Sequence, residues 1–76
     1  MKEVLELLIT NLVEDKEAVK VNQVDGEKSI ILEVRVAESD MGKVIGRQGK
    51  IAKSIRTVMK ALAAKENKRI TIEFIG

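Results

Sequence analysis

Asp40-Met41-Gly42-Lys43-Val44-Ile45-Gly46-Arg47-Gln48-Gly49-Lys50-Ile51 is the stretch around which the rest of the chain is organised. Gly46 and Gly49 are separated by two long polar side chains, preceded by paired aliphatics and followed by an apolar-periodic segment. That pattern predicts a sharp turn between two helices, because glycine reaches positive φ without strain and lets another backbone come close. Such a turn leaves free N–H groups at the start of the second helix, where the macrodipole favours an anion. Six of the fourteen Lys/Arg, namely Lys43, Arg47, Lys50, Lys53, Arg56 and Lys60, and none of the twelve Asp/Glu fall between Met41 and Lys60. The formal net charge of +2 therefore conceals a polarised molecule with a basic field over a helix N-terminus, a phosphate-binding arrangement.

Pattern alone admits a plainer reading, in which the glycines are turn chemistry and the basic residues a solvated helix face. Two familiar phosphate loops are excluded by spacing. A Walker A loop requires a glycine five residues before Gly-Lys and a Ser or Thr after it, whereas Gly49-Lys50 has Val44 and Ile51 there. A dinucleotide fingerprint fails as well, since Gly42, Gly46 and Gly49 are wrongly spaced and no strand leads directly into them.

The 76 residues suffice for one domain, 1–76, with one modest core. With no cysteine and no histidine, the chain lacks thiolate metal sites, disulfides and the commonest general base, so stability must come from packing. No metal site, cofactor or catalytic residue is expected: Ser29, Ser39, Ser54 and the threonines have no histidine partner, and the carboxylates are scattered. Glu3 and Glu6 interrupt the N-terminal apolar residues and no run approaches a membrane span, so a cytoplasmic protein without membrane contact is expected. Phe74 is the only aromatic, which argues against the RNA-binding folds that stack bases on exposed rings.

Helical spacing of Val4, Leu5, Leu7, Leu8, Ile9, Leu12 and Val13 predicts a first helix over Met1 to Asp15. Those positions sweep about 240°, wider than one sheet face buries, so either neighbouring loops or a partner must cover the surplus. Val19 and Val21 alternate in a first strand, Val24 breaks the phase and suggests a bulge near Asn22 and Gln23, and Asp25-Gly26 supplies a turn. Ile30, Leu32, Val34 and Val36 form the inward side of a second strand, with Ile31, Glu33 and Arg35 outward. Ser39 and Asp40 are read as caps of a short helix over Met41 to Ile45. Ile51, Ile55, Val58, Met59 and Leu62 mark a long helix ending near Lys65; Asn67 turns the chain, and Ile70, Ile72 and Phe74 alternate in a last strand. The expected fold is α+β, in the order α-β-β-α-α-β. Hairpin and crossover rules then give a three-stranded mixed sheet with the three helices on one face.

The wording from Asp40 to Arg56 strongly resembles the Ile-Gly-x-x-Gly signature and flanking helices of KH domains. Over its full length the chain resembles the small stand-alone bacterial KH proteins of the KhpA type, and its element order that of a type II KH domain. The resemblance implies a protein that clamps the backbone of single-stranded RNA with the Gly-x-x-Gly turn while bases lie in an aliphatic groove. Carried onto this sequence, Gly46 and Gly49 permit close approach, Arg47 and Gln48 face phosphate and sugar, and Lys50 adds charge. Lys43, Lys53 and Arg56 contribute an outer field, and Val44, Ile45, Ile51 and Leu32 wall the groove. Lys60 is read as a solvated charge. The short acidic segment from Val24 to Lys28 is expected to form the groove's other rim, giving low sequence specificity. The resemblance further implies a cytoplasmic RNA chaperone or post-transcriptional regulator, linked to cell shape and wall biogenesis. Its partners would be a second copy of itself or a larger KH-containing protein. The rival reading is a KH-fold protein-interaction module that binds no RNA usefully.

Overall fold

The computed structural model describes residues 1–75. Helix α1 (Lys2–Thr10) leads into strands β1 (Lys20–Asp25) and β2 (Ser29–Arg35). The short helix α2 (Met41–Ile45), the long helix α3 (Lys50–Lys65) and strand β3 (Arg69–Ile75) follow, with single 3-10 turns at Lys16–Ala18, Glu38–Asp40 and Arg47–Gly49. The sheet order is β1-β2-β3, with β1 antiparallel and β3 parallel to the central β2. Inward residues Val21, Ile30, Leu32, Val34, Ile70 and Ile72 pack with Leu5, Ile9, Val44, Ile55, Met59 and Ala63 into one core. This is the α+β arrangement that the alternation of periods 2 and 3.6 predicts.

Three local expectations are corrected. Helix α1 stops at Thr10 although the apolar periodicity runs on through Leu12 and Val13. Ile9 O takes the N–H groups of both Leu12 and Val13, Asn11 Nδ2 donates to Leu7 O, and Lys16 Nζ donates to the Thr10 and Val13 carbonyls beyond. Strand β1 contains no bulge, for its register with β2 is unbroken from Lys20↔Arg35 to Asp25↔Ile30. Gln23 accordingly occupies an inward position opposite Leu32 and bonds Asp25, and Val24 lies outward, exposed, beside Ile31. Asp40, finally, does not cap α2 with its side chain, because its carboxylate is committed elsewhere.

Helix α3 begins and ends where the sequence places it. Asn67, at φ 58°, takes the left-handed position after the helix, and Lys68 N–H returns to Ala63 O at 3.0 Å. Across the sheet, Arg69 N–H donates to Lys28 O at 2.9 Å, so the β1–β2 turn and the α3–β3 turn share one end of the molecule. The glycine turn lies at the other end of α3, about 24 Å away at 1.5 Å per residue.

Candidate nucleic-acid interface

Gly46 closes α2 by donating its N–H to Gly42 O at 2.9 Å and then turns the chain at φ 77°, ψ 173°, a region open essentially only to glycine. A Cβ there would lie 2.5 Å from Ile51 Cγ1, so the first helical turn of α3 is seated directly on Gly46. Gly49 is left-handed at φ 73°, but a Cβ on it would meet nothing within 4 Å. The space outside Gly49 is thus open to an approaching ligand backbone. Between them Gln48 holds φ 57°, ψ 24°, unusual for a residue with a side chain. Arg47 and Gln48 are both exposed. No side chain caps α3, and the N–H of its first residue, Lys50, is taken by Arg47 O within the preceding turn.

The other candidate residues divide sharply. Lys53 is exposed. Lys43 is the one member of the basic group that makes an ion pair among the described residues, with Glu14 Oε1 at 2.8 Å and Asp40 Oδ1 at 3.3 Å. Its pKa is raised, first by the Glu14 hydrogen bond against some desolvation, with Asp40 reinforcing it. Asp40 is held below its ordinary value, chiefly by the Asp15 N–H bond; burial opposes this, and the Glu14 N–H and Lys43 assist. Arg56 is half-buried, with its guanidinium 5.2 Å from the Phe74 ring centroid and Nη2 3.5 Å from Ile72 O. Val44 is 0% exposed and Leu32 fully buried, so neither offers surface to a base; Ile45 and Ile51 are half-buried.

Two clefts flank α3. On one side, Arg56, Lys60, Ile70, Thr71 and Ile72 line a hollow against the edge strand β3, and Lys60, Lys68 and Arg69 line its continuation. This basic cleft runs between α3 and β3. Lys53, Arg56 and Lys60 fall within about 60° of one another around the helix, so a basic stripe runs from the glycine turn along this side. Lys60 lines the cleft with Lys68 and Arg69, which lie outside the Met41–Lys60 segment. The sheet topology contained the signal: a parallel crossover that leaves β1 on one side of β2 must put β3 on the other, as an edge beside α3. On the other side of α3, Leu8, Asn11, Leu12, Lys50, Ile51, Ser54, Ile55 and Val58 line a predominantly apolar cleft of about 440 Å³ against α1.

A turn with two positive-φ glycines, joining a helix of five residues to an uncapped long helix above a mixed sheet, is the arrangement on which KH domains rest. The family described as KhpA/KhpB, KH domain, has a model that matches residues 2–74. The chain belongs to that family. A Clostridium perfringens protein named RNA-binding protein KhpA is 59% identical over 75 residues, covering 99% of this chain and 100% of the relative. Proteins of the same name from Borreliella burgdorferi and Aquifex aeolicus are 49% and 40% identical, covering 96% and 99% of this chain and 89% and 95% of their own. No solved structure matches. The KhpA/KhpB match takes in every element from α1 through most of β3, including both walls of the basic cleft.

Proposed function

We propose that this protein binds single-stranded RNA with low sequence specificity, clamping the sugar-phosphate backbone at Gly46-Arg47-Gln48-Gly49. The observation that carries the reading is the open space outside Gly49 at the start of α3, with Arg47 and Lys50 exposed and outside any ion pair among the described residues. The names of the KhpA relatives support RNA as the ligand. The strand leaves the turn along Lys53, Arg56 and Lys60, with Ile45 and the β3 edge beneath the bases. Half-buried aliphatics and few base-reading side chains suit a global binder, a chaperone or post-transcriptional regulator in the cytoplasm, better than a reader of one sequence.

The second cleft and the outer side of α1 carry the partner surface. Leu7 is 63% and Val58 48% exposed, and Val4 and Leu12 are also exposed; Leu12 and Val58 line the second cleft. A second copy of the chain covers it in this reading, and the like surface of a larger KH-containing protein is the alternative occupant. Ile31 and Ile75, half-buried on the open sheet face, offer less.

Anisotropy of a labelled oligouridylate at two salt concentrations tests the RNA reading, since phosphate-driven affinity must fall as salt rises. Replacing Arg47 and Gln48 together by Asp should remove about 2 kcal/mol or more of binding, because charge-assisted hydrogen bonds are lost and carboxylates face phosphate. Lys20→Glu, on the open sheet face, is the control and should have little effect. A double Asp variant that binds like wild type would overturn the clamp assignment, and salt-independent or negligible binding by both would favour the protein-interaction module.

A further inference from the structure

Asp40 is 2% exposed and is the only charged residue buried among the described residues. It occupies the N-cap position of α2, yet its carboxylate reaches away from that helix. Oδ1 accepts the backbone N–H of Glu14 at 3.2 Å and Oδ2 that of Asp15 at 3.0 Å, while Lys43 Nζ bridges Asp40 Oδ1 and Glu14 Oε1. One side chain therefore fastens the segment after α1 to the start of α2, across 25 and 26 residues of sequence. Burial of a carboxylate is costly unless its oxygens are matched, and packed hydrocarbon would hold two segments together without that cost. What the carboxylate adds is direction, since two fixed N–H groups donate to its oxygens in one orientation only. Helix α2 needs such a constraint, because five residues are far too few to persist as an isolated helix. Ile45, its last residue, adjoins Gly46, so any tilt of α2 passes straight into the turn.

We propose that Asp40, with Lys43 as its counter-ion, is a positioning residue for the phosphate turn: the pair locks α2 against residues 14–15 and thereby sets where Arg47 and Gln48 point. The proposal rests on the reading of that turn as an RNA clamp. Lys43 accordingly serves the lock and is not a phosphate contact, unlike Lys50, whose charge is free.

Two measurements on the full chain separate these roles. In oligouridylate binding across a salt series, Lys50→Gln lowers the slope of log affinity against log salt by about 0.7, the value for one phosphate contact on a single strand. Lys43→Gln and Asp40→Asn leave that slope unchanged while lowering affinity about two- to thirty-fold, as indirect couplings do. In the free protein, both variants shift the backbone amide resonances of Gly46 to Gly49. A slope loss in Lys43→Gln equal to that of Lys50→Gln would overturn the proposal, as would unmoved turn resonances with unmoved affinity in Asp40→Asn. Should Asp40→Asn not fold, Lys43→Gln decides alone by the same two readouts. Wild-type protein that fails to bind oligouridylate at low salt defeats the clamp reading instead, and the turn resonances still report on the lock.

Discussion

A methyl group at position 46 would fail on two counts, angle and space, whereas one at position 49 would fail on angle alone. Gly46→Ala therefore combines a strained backbone, about 1–3 kcal/mol, with overpacking against Ile51 of about 1–3 kcal/mol. Gly49→Ala carries only the left-handed penalty of about 1–2 kcal/mol. In a domain of this size 1 kcal/mol moves the midpoint by about 4–8 °C, so thermal melts should rank the two variants clearly. Trimming Ile51 to Ala in the Gly46→Ala background should cost less than the two changes summed, because the clash disappears with the side chain. Gln48 poses the opposite case. Its positive φ is strain that a glycine would relieve, so Gln48→Gly should not lower the melting temperature, yet the lost amide should weaken oligouridylate binding. Loss of both properties together would show that the Gln48 side chain holds the turn rather than the ligand.

At the level of elements, the lock between α2 and the segment after α1 has a defined pH window. Asp40 has a folded pKa below its ordinary value of 3.8, so its contribution is complete above that value and is lost as pH falls through the lowered one. Lys43 has a folded pKa above 10.5, so its contribution is complete below that value and is lost as pH rises through the raised one. Denaturant midpoints measured against pH should show a shallower acid limb for Asp40→Asn than for wild type, and a shallower alkaline limb for Lys43→Gln. Elements whose boundaries are set locally were legible in the sequence. The 3.6-residue period and Asn67 bound α3, alternation outlines β2 and β3, and the glycines mark the turn. The end of α1 was not, because the apolar period continues past Thr10, while the bonds that take the chain out of the helix, among them Lys16 Nζ to the Thr10 and Val13 carbonyls, join residues the periodicity does not link. Asp40 read as a cap for a related reason: Glu14 and Asp15 are distant in sequence, and local spacing carries no trace of a bond to them. The same blindness hid the cleft that Lys60, Lys68 and Arg69 line, since only the strand order brings β3 beside α3.

Across the whole molecule, charge and apolar surface lie on opposite sides of α3, and each side makes its own prediction. Lys60→Glu should weaken oligouridylate binding measurably more than Lys20→Glu, because Lys60 faces the β3 cleft and Lys20 does not. Val58→Lys should lower the apparent mass by light scattering at high micromolar concentration, while monomer stability changes by only about 0.5 kcal/mol, as at other exposed positions. A wild-type protein that scatters as a monomer throughout the series would remove the second copy from the proposal. The division between the two sides is incomplete at one point. Lys50 and Ile51 border the apolar cleft against α1, yet Ile51 is seated on Gly46 and Lys50 begins the helix proposed to receive phosphate. On the proposed reading, a copy docked in that cleft would touch the residues that hold the turn, and the two ligands would then be joined by a coupling free energy. By reciprocity, the factor by which RNA tightens or loosens the pair is the factor by which pairing tightens or loosens RNA. RNA affinity should consequently vary with protein concentration through the range where copies associate, and that variation should vanish in Val58→Lys.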